Sequence, residues 1–527
     1  MAVNTSARDS VPVMVTSLGL VLILLMLGLV LWLILSRGLA SLWPHPLERF
    51  DLHDGRVVLG EVWEELEGPE GARLRLRVGN RELTGQDVVL LDLSEVSARQ
   101  RPADAILVER HENGVFVGWL AGIEGPGLSL AGDSPELRRR LDEAIRASGR
   151  LDDQLRERQE RARRLSLKRG RWEEKLARRD GPSPGADRLQ GRMEAASVEL
   201  RTLDAELDSL YVLAAQWSLV MRTSSSDNVS LPLLQVVRWV PVNELGTPAR
   251  LGLYLKRLWG FLSEEPRESN TAGGVWPAIF GTVLMVLLMS LAAAPLGVMT
   301  AVYLHDYAKQ GLLVRLIRLA VNNLAGVPSI VFGIFGLGFF IYFTGGSLDQ
   351  LFFSERLPEP TYGTGGILWA SLTLALLTLP VVVVATLEGL AAVSRTTRMA
   401  ALALGATRWQ MIRQVVLPNA MPGILTGLIL AVSRAAGEVA PLMITGVVKL
   451  APSLALDGDF PFLHLERKFM HLGFHIYDLG FQSPNVEAAK PMLYATALLL
   501  ICMVLLLNLT AILLRNHLRK VYKQAAF

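Results

Sequence analysis

Of the 527 residues only one is a cysteine, Cys502, so no intrachain disulfide can form and a cysteine-built zinc site is excluded. No G-x-x-x-x-G-K-S/T run occurs, so the chain has no P-loop and does not hydrolyse ATP by that route. Eight histidines are present, but no H-E-x-x-H. An excess of one charge is also missing: 53 basic against 50 acidic residues leave +3, which argues against a nucleic-acid binder held by bulk charge. What is abundant is apolar. Half the chain (51%) is hydrophobic and mean hydropathy is +0.34, too high for an ordinary soluble protein. Yet 20% of residues are charged, too many for membrane helices alone. The composition predicts a mosaic of apolar spans and a charged domain.

Five runs contain no charged residue: Val11–Ser36, Trp276–Tyr303, Leu319–Ser347, Pro360–Leu387 and Pro491–Leu514. A sixth, Ile424–Val448, is interrupted by Arg434 and Glu438. Each is long enough to cross a bilayer, which takes roughly 20 apolar residues. If the six alternate, three basic segments fall on one side. These hold Lys309, Arg315 and Arg318; Arg395, Arg398, Arg408 and Arg413; and Arg515, Arg519, Lys520 and Lys523. Basic short loops are cytoplasmic. Both termini are then cytoplasmic, residues 1–36 form an uncleaved anchor, and residues 37–270 are extracytoplasmic in a multi-pass inner-membrane protein.

Within 37–270, Arg56–Val62, Arg73–Val78, Asp87–Leu93, Ala105–Arg110 and Val115–Leu120 read as strands between turn residues. The period then changes. Leu189, Met193, Ala196, Leu200, Leu203, Leu207 and Leu210 are spaced as a heptad seam. A less regular arm precedes them, with Leu137, Leu141, Leu155 and Leu165 in the seam and Asp180–Ala186 as the break. Leu137–Asp180 is net +7 and Asp187–Tyr211 net −3. Opposite charge favours an antiparallel coiled-coil hairpin over about 134–215, borne by a small α/β domain that resumes at Val229–Phe261.

The loop before the fifth span reads Met399-Ala-Ala-Leu-Ala-Leu-Gly405, then nine residues to Val415, then Leu417-Pro418. Gly405 permits a tight turn, and Pro418 is expected to separate a second short helix from the following span. This loop resembles the "EAA" coupling loop of ABC importer permeases. Ala400, Ala401, Gly405, Val415, Leu417 and Pro418 take the matching positions, with Met399 in place of the glutamate. Gly273–Thr282, Leu324–Gly333 and Arg434–Pro441 extend the resemblance to the A-type permeases of phosphate-specific (Pst) ABC importers, over about Gly273–Arg515.

The resemblance implies a type I ABC importer (MetI-like) core of five helices over 271–527, with its coupling loop at 395–420. It also implies the partners: a second, C-type permease, two cytosolic ATPase subunits that use ATP and Mg, and an extracytoplasmic phosphate-binding protein. This chain itself would bind no cofactor or metal and would be no enzyme. The expected function is a path for inorganic phosphate. Another small anion, or a membrane-anchored coiled-coil scaffold or sensor, stays open as an alternative.

Arg434 and Glu438 are four apart and share a helix face, so each lowers the other's cost of lying in the membrane. Arginine suits phosphate through its planar donor fork. Asn322, Asn323 and Ser329 are candidate neutral donors to the same anion. His464, His471 and His475 follow the fifth span and are expected at a surface or interface rather than on a metal.

Overall fold

The computed structural model describes residues 7–68, 71–126, 128–177, 184–309, 311–458 and 460–524. The hairpin break at 180–183 and the side chains of Arg519, Lys520 and Lys523 lie outside the described part. The chain divides into two compact units: Met1–Leu42 with Trp259–Phe527, and Trp43–Leu258.

Helix α1, Ala7–Ala40, is the first span, and its apolar side chains point outward along nearly its whole length. A helix apolar all round suits lipid on every side. Its last turn meets the final span: a Cβ on Gly38 would stand 3.0 Å from the Tyr494 carbonyl oxygen and the Leu498 side chain.

Trp43–Leu258 holds two antiparallel sheets. The first is built from β1 (Leu47–Leu52), β2 (Val57–Gly68), β3 (Gly71–Arg77), β4 (Val88–Asp92) and β5 (Val96–Gln100), with a one-turn helix α2 (Arg81–Thr84) before β4. Its strand order is β4-β3-β2-β1-β5. The second is built from β6 (Ala105–Arg110), β7 (Val115–Gly125), β8 (Leu128–Ala131), β9 (Ser218–Arg222), β10 (Asn228–Pro232) and β11 (Val236–Val240). Its order is β10-β9-β7-β6-β11, with β8 added to β7.

The chain thus follows one path twice. In each pass a single 3₁₀ turn, Leu93–Glu95 or Leu233–Gln235, leads into the closing strand. The sequence repeats with it: Asp87, Val89, Leu91, Leu93 and Val96 recur as Asp227, Val229, Leu231, Leu233 and Val236. The expected α/β arrangement is therefore corrected. Every strand pair in these sheets is antiparallel, and the two long helices between strands are an insertion rather than crossovers.

That insertion is α3 (Pro135–Ala177) and α4 (Pro184–Ala215), between β8 and β9. Arg161 reaches Glu199 at 2.6 Å and Arg158 reaches Glu206 at 3.1 Å, so the arms run antiparallel. Leu155, Leu189, Ala196 and Leu203 are buried along the seam. At the base, Leu137 and Leu141 leave the seam and enter the core of the second sheet beside Ile106, Phe116, Leu219 and Met221. Helix α5 (Thr247–Ser263) follows β11.

The membrane unit resumes with a two-stranded β12 (Pro266–Arg267) and β13 (Ala272–Gly273), then α6 (Trp276–Val302). Next come α7 (Leu312–Leu324), α8 (Ser329–Phe335), a π-helical stretch Gly336–Gly345, α9 (Gly346–Phe352) and α10 (Ile367–Ala391). The chain continues through α11 (Arg395–Ala403), α12 (Arg408–Gln410), α13 (Leu417–Gly437), α14 (Ala440–Thr445), α15 (Leu472–Tyr477) and α16 (Val486–Gln524).

Among the described residues six helical stretches are long and apolar enough to cross a membrane: Pro12–Ala40, Trp276–Tyr307, Ser329–Phe352, Ile367–Ala391, Arg408–Gly437 and Val486–His517. Two expected spans change their bounds. The third begins at Ser329, because Pro328 breaks the helix and leaves α7 as a separate amphipathic segment. The fifth ends at Gly437, where the backbone becomes extended at Glu438.

Helices α6, α10 and α13 form the centre, with Met285, Met289, Leu374, Leu377 and Ala435 buried between them. Helices α10 and α13 cross closely where Gly389 faces Gly423. A Cβ on Gly423 would lie 2.6 Å from the Gly389 Cα. Small residues let membrane helices approach to this degree.

Leu141 is fully buried in a sheet core, whereas Leu165 lies partly exposed on the hairpin. Leu141→Ala should cost about 2–5 kcal/mol and open β6–β11 to trypsin. Leu165→Ala should leave that region protected, and equal digestion of both variants would contradict the division between core and hairpin.

Candidate coupling loop and membrane path

The candidate coupling loop is built from two caps and a glycine. Ser394 caps α11, its hydroxyl accepting from the Thr397 N–H at 3.1 Å. The helix ends into Gly405, whose φ of +85° is readily reached only without a side chain, and whose N–H donates to the Leu402 carbonyl at 3.0 Å. Thr407 and Gln410 then form a reciprocal capping box, at 2.8 and 3.2 Å, that starts α12. A Cβ on Gly405 would meet no neighbour, so the turn rather than internal crowding requires the glycine.

One expectation for this loop fails. Pro418 does not separate a short helix from the span, because the helix runs unbroken from Arg408 to Gly437. The π-helical turn Met411–Val416 widens the preceding coil, and the Leu417 N–H bonds the Ile412 carbonyl five residues back. A coil already wound that way takes a proline at the next position without a break.

Met411, Ile412 and Val416 are buried against Val383, Leu390, Ala301 and Val302. Of the expected coupling residues, Ala400 and Gly405 are exposed, while Ala401, Val415, Leu417 and Pro418 are partly buried. The outer surface carries large apolar side chains, of which sequence reasoning noted only Met399: Met399 is 64% exposed, Leu404 90% and Trp409 56%. Large apolar residues flanking an obligate turn glycine were the available signal.

The loop is tied to its neighbours. Arg398 pairs with the half-buried Asp306 in the π-helical turn Tyr303–Tyr307 that ends α6, and donates to the Leu390 carbonyl at 2.7 Å. Arg318 donates to the Leu304 carbonyl at 3.1 Å, and Arg515 of α16 to the Thr426 hydroxyl at 3.2 Å. The basic segments with described side chains therefore gather at one end of the bundle.

Arg434 lies in the last turn of α13, about 24 Å of helix beyond Pro418. Its Nε sits 3.4 Å from Glu438 Oε1, so the expected pair forms, but not within one helix. Glu438 stands in the break between α13 and α14, at φ −78° and ψ 137°. Both side chains keep access to solvent-sized space, at 34% and 20% exposure.

The neutral candidates are placed differently. Asn322 and Asn323 are exposed in the last turn of α7, outside the span, and Ser329 opens α8. Segments carrying all five residues border one apolar cluster, through Leu324, Val327, Phe332, Ala435 and Val439. Among the described residues no hydrogen bond joins Arg434 or Glu438 to Asn322, Asn323 or Ser329.

The long segment between α14 and α16 is packed rather than splayed. It caps the start of α10: the Ile367 N–H donates to the Arg467 carbonyl and the Leu368 N–H to the Leu465 carbonyl, each at 3.0 Å. All three histidines of this segment are buried within the chain, rather than at the expected surface or interface. His464 lies between Asp457 and Glu466, at 3.1 and 3.2 Å. His471 Nδ1 accepts from the Gly473 N–H at 3.1 Å, which leaves its proton on Nε2. Further along, Asp478 takes Lys449 at 3.2 Å and the Asn270 amide at 3.1 Å. Among the described residues no cluster of three or more metal-ligating side chains occurs.

Burial pushes His471 down to about 3 and His475 to about 4. For His475, the Asp478 charge pulls upward against that burial, while Lys449 adds to the depression. Both rings are thus folded in the neutral form, and the unfolded chain binds their protons first. Stability should fall as pH drops below about 6.5 and keep falling until about pH 4 to 3. Thermal unfolding of the purified chain across that window checks this. His475→Gln should flatten the fall, and an unchanged slope would rule out its share.

Residues 293–523 match the family described as "Binding-protein-dependent transport system inner membrane component". The phosphate transport system permease protein PstA 1 of Mycobacterium tuberculosis is 38% identical over 208 residues, covering 40% of this chain and 60% of that protein. PstA of Yersinia pestis is 34% identical over 188 residues, covering 36% and 57%. The chain thus spans about three fifths of the length of these relatives. Among solved structures, an inward-facing MetNI methionine ABC transporter aligns over 46% of this chain and 94% of that one, at 17% identity and a TM-score of 0.34. The membrane part of this chain is similar to the PstA-type permeases of phosphate transport systems.

Proposed function

We propose that this chain is the permease subunit of an ATP-driven importer and that its cargo is inorganic phosphate. The observation that carries the reading is the coupling loop. A glycine held at positive φ joins two capped helices and presents Met399, Leu404 and Trp409 outward at one end of a membrane bundle. Large apolar side chains exposed on a short polar-flanked loop mark a docking surface. Its occupant is a cytosolic ATPase subunit, and the assembly holds two of these, a second C-type permease and an extracytoplasmic phosphate-binding protein. ATP and Mg²⁺ belong to the ATPase subunits.

The gathering of basic side chains near the coupling loop supports a cytoplasmic position for that end. The last turn of α1 meets the early part of α16, which supports both termini lying at the coupling-loop end. Residues 37–270 then lie on the extracytoplasmic side.

Arg434 contributes donors to the anion in transit, and Glu438 keeps that anion from binding too tightly. The break at Glu438 supports this role. It frees backbone groups and leaves both side chains partly accessible, and interrupted helices at membrane depth line cavities. Asn322, Asn323 and Ser329 border the same route.

Gly405→Trp puts a side chain where φ is +85° and should abolish co-purification of the ATPase subunits and phosphate uptake while insertion in the membrane persists. Retention of both activities would refute the docking role.

Arg434→Gln should depress uptake with the ATPase subunits still bound. Arg434→Lys should recover it only in part, because an ammonium lacks the planar fork. Near-normal uptake by the double variant Arg434→Gln/Glu438→Gln would assign the pair to helix packing instead.

A further inference from the structure

Helix α5 carries its apolar residues on two sides. One side faces protein: Leu253 packs with the cluster of Leu47, Val117 and Val240, the Tyr254 ring lies tilted against Trp43 with centroids 5.5 Å apart, and Arg257 donates to Glu109 at 2.9 and 3.1 Å. The outward side should be polar in a helix bathed by water. It is not. Leu251, Leu255 and Trp259 follow at intervals of four and are 50%, 55% and 70% exposed. Lys256 is exposed beside this stripe.

The end of α5 has a fixed level. The Val275 N–H donates to the Phe261 carbonyl at 2.9 Å, and the Trp276 N–H to the Glu264 carbonyl at 3.3 Å. Phe261 is buried with Val275 and Ala278 of the first turn of α6. The last turn of α5 therefore sits where the span Trp276–Tyr307 begins, and Trp276 itself is 43% exposed there. A span begins at the boundary between headgroups and acyl chains, the depth that tryptophan favours. The exposed stripe of α5 ends at Trp259, in the last part of the helix that leads to that boundary.

We propose that α5 is an in-plane membrane anchor. Leu251, Leu255 and Trp259 enter the headgroup–acyl boundary of the bilayer, and Lys256 meets lipid phosphate. The occupant of this face is the lipid surface rather than another protein. The chemistry fits: large apolar side chains and a tryptophan form one stripe, with a lysine at its rim, on a helix bonded to the start of a span. The inference rests on reading α6 as a membrane span.

The test uses the full chain in lipid vesicles, in a Cys502→Ala background, with single nitroxide-labelled cysteines. Leu251→Cys and Leu255→Cys read α5. Gly149→Cys, on the hairpin with no neighbour within 4 Å, reads water, and Leu291→Cys, 74% exposed on α6, reads the span. Collisions with oxygen, which partitions into lipid, are compared with those of a water-soluble nickel chelate. The oxygen-to-nickel ratio at Leu251 and Leu255 should exceed that at Gly149 several-fold and lie below that at Leu291. A water-like ratio at both α5 sites would overturn the anchor, as would shielding from both reagents, which signals a protein cover. A water-like Leu291 would instead overturn the span and the anchor together. As a label-free check, shallow brominated lipids should quench the wild-type chain more than Trp259→Phe, and equal quenching would overturn the contact.

Discussion

Inside a bilayer every backbone N–H and C=O must find its partner within the protein, because lipid offers none. The membrane unit is arranged around the places where that requirement is hardest to meet. The start of α10 is one. Its first N–H groups have no partner within their own helix, and the end of α14 and the segment after it supply carbonyls from Thr445, Leu465 and Arg467. This segment lies tight against the spans for the same reason. A Cβ on Gly366 would stand 2.5 Å from the Glu466 carbonyl oxygen, and one on Gly281 would stand 2.1 Å from that of Met470.

The same constraint explains the polar groups buried there. Asn270, Asp478 and Lys449 converge beside His475 because a folded-back loop brings its own polar residues into the interior, where they must satisfy one another. Asn270 reaches this position through a backbone held at positive φ over Glu268, Ser269 and Asn270. The short link into α6 is thereby bound to the far loop, and the spans it joins are held at one end by polar contacts and at the other by the Arg398–Asp306 pair.

Much of this was legible in the sequence, and the misses have physical causes. Six apolar runs, strands β2–β4, β6 and β7, the heptad seam and the turn at Gly405 each rest on local signals, and local signals are what a sequence carries. The break at Glu438 was not read, because four-residue spacing from Arg434 is also helical spacing; Gly437 was the only hint. Pro418 was read as a stop because the compensating π-helical turn depends on packing of Met411 and Val416 rather than on residue type. The histidines were placed at a surface or interface because their burial depends on how their segment folds back, its backbone meeting α6 and α10 far away in sequence. The doubled sheet was in plain view, since Asp87–Val96 and Asp227–Val236 share one spacing, but the hairpin between the two copies hid the repeat and suggested an α/β alternation instead.

The place where that hairpin is inserted has its own consequence. Helices α3 and α4 leave one sheet from β8 and rejoin it at β9, on the two sides of β7, and only the base of the hairpin, through Leu137, Leu141, Ala144 and Ile145, packs into the sheet's core. Length is therefore a free variable. Adding or removing a heptad from each arm preserves the seam and shifts the tip by about 10 Å, with no effect on strand register. The hairpin is a ruler whose reach can be reset by insertion or deletion alone, so chains sharing this membrane unit can differ greatly in how far they extend.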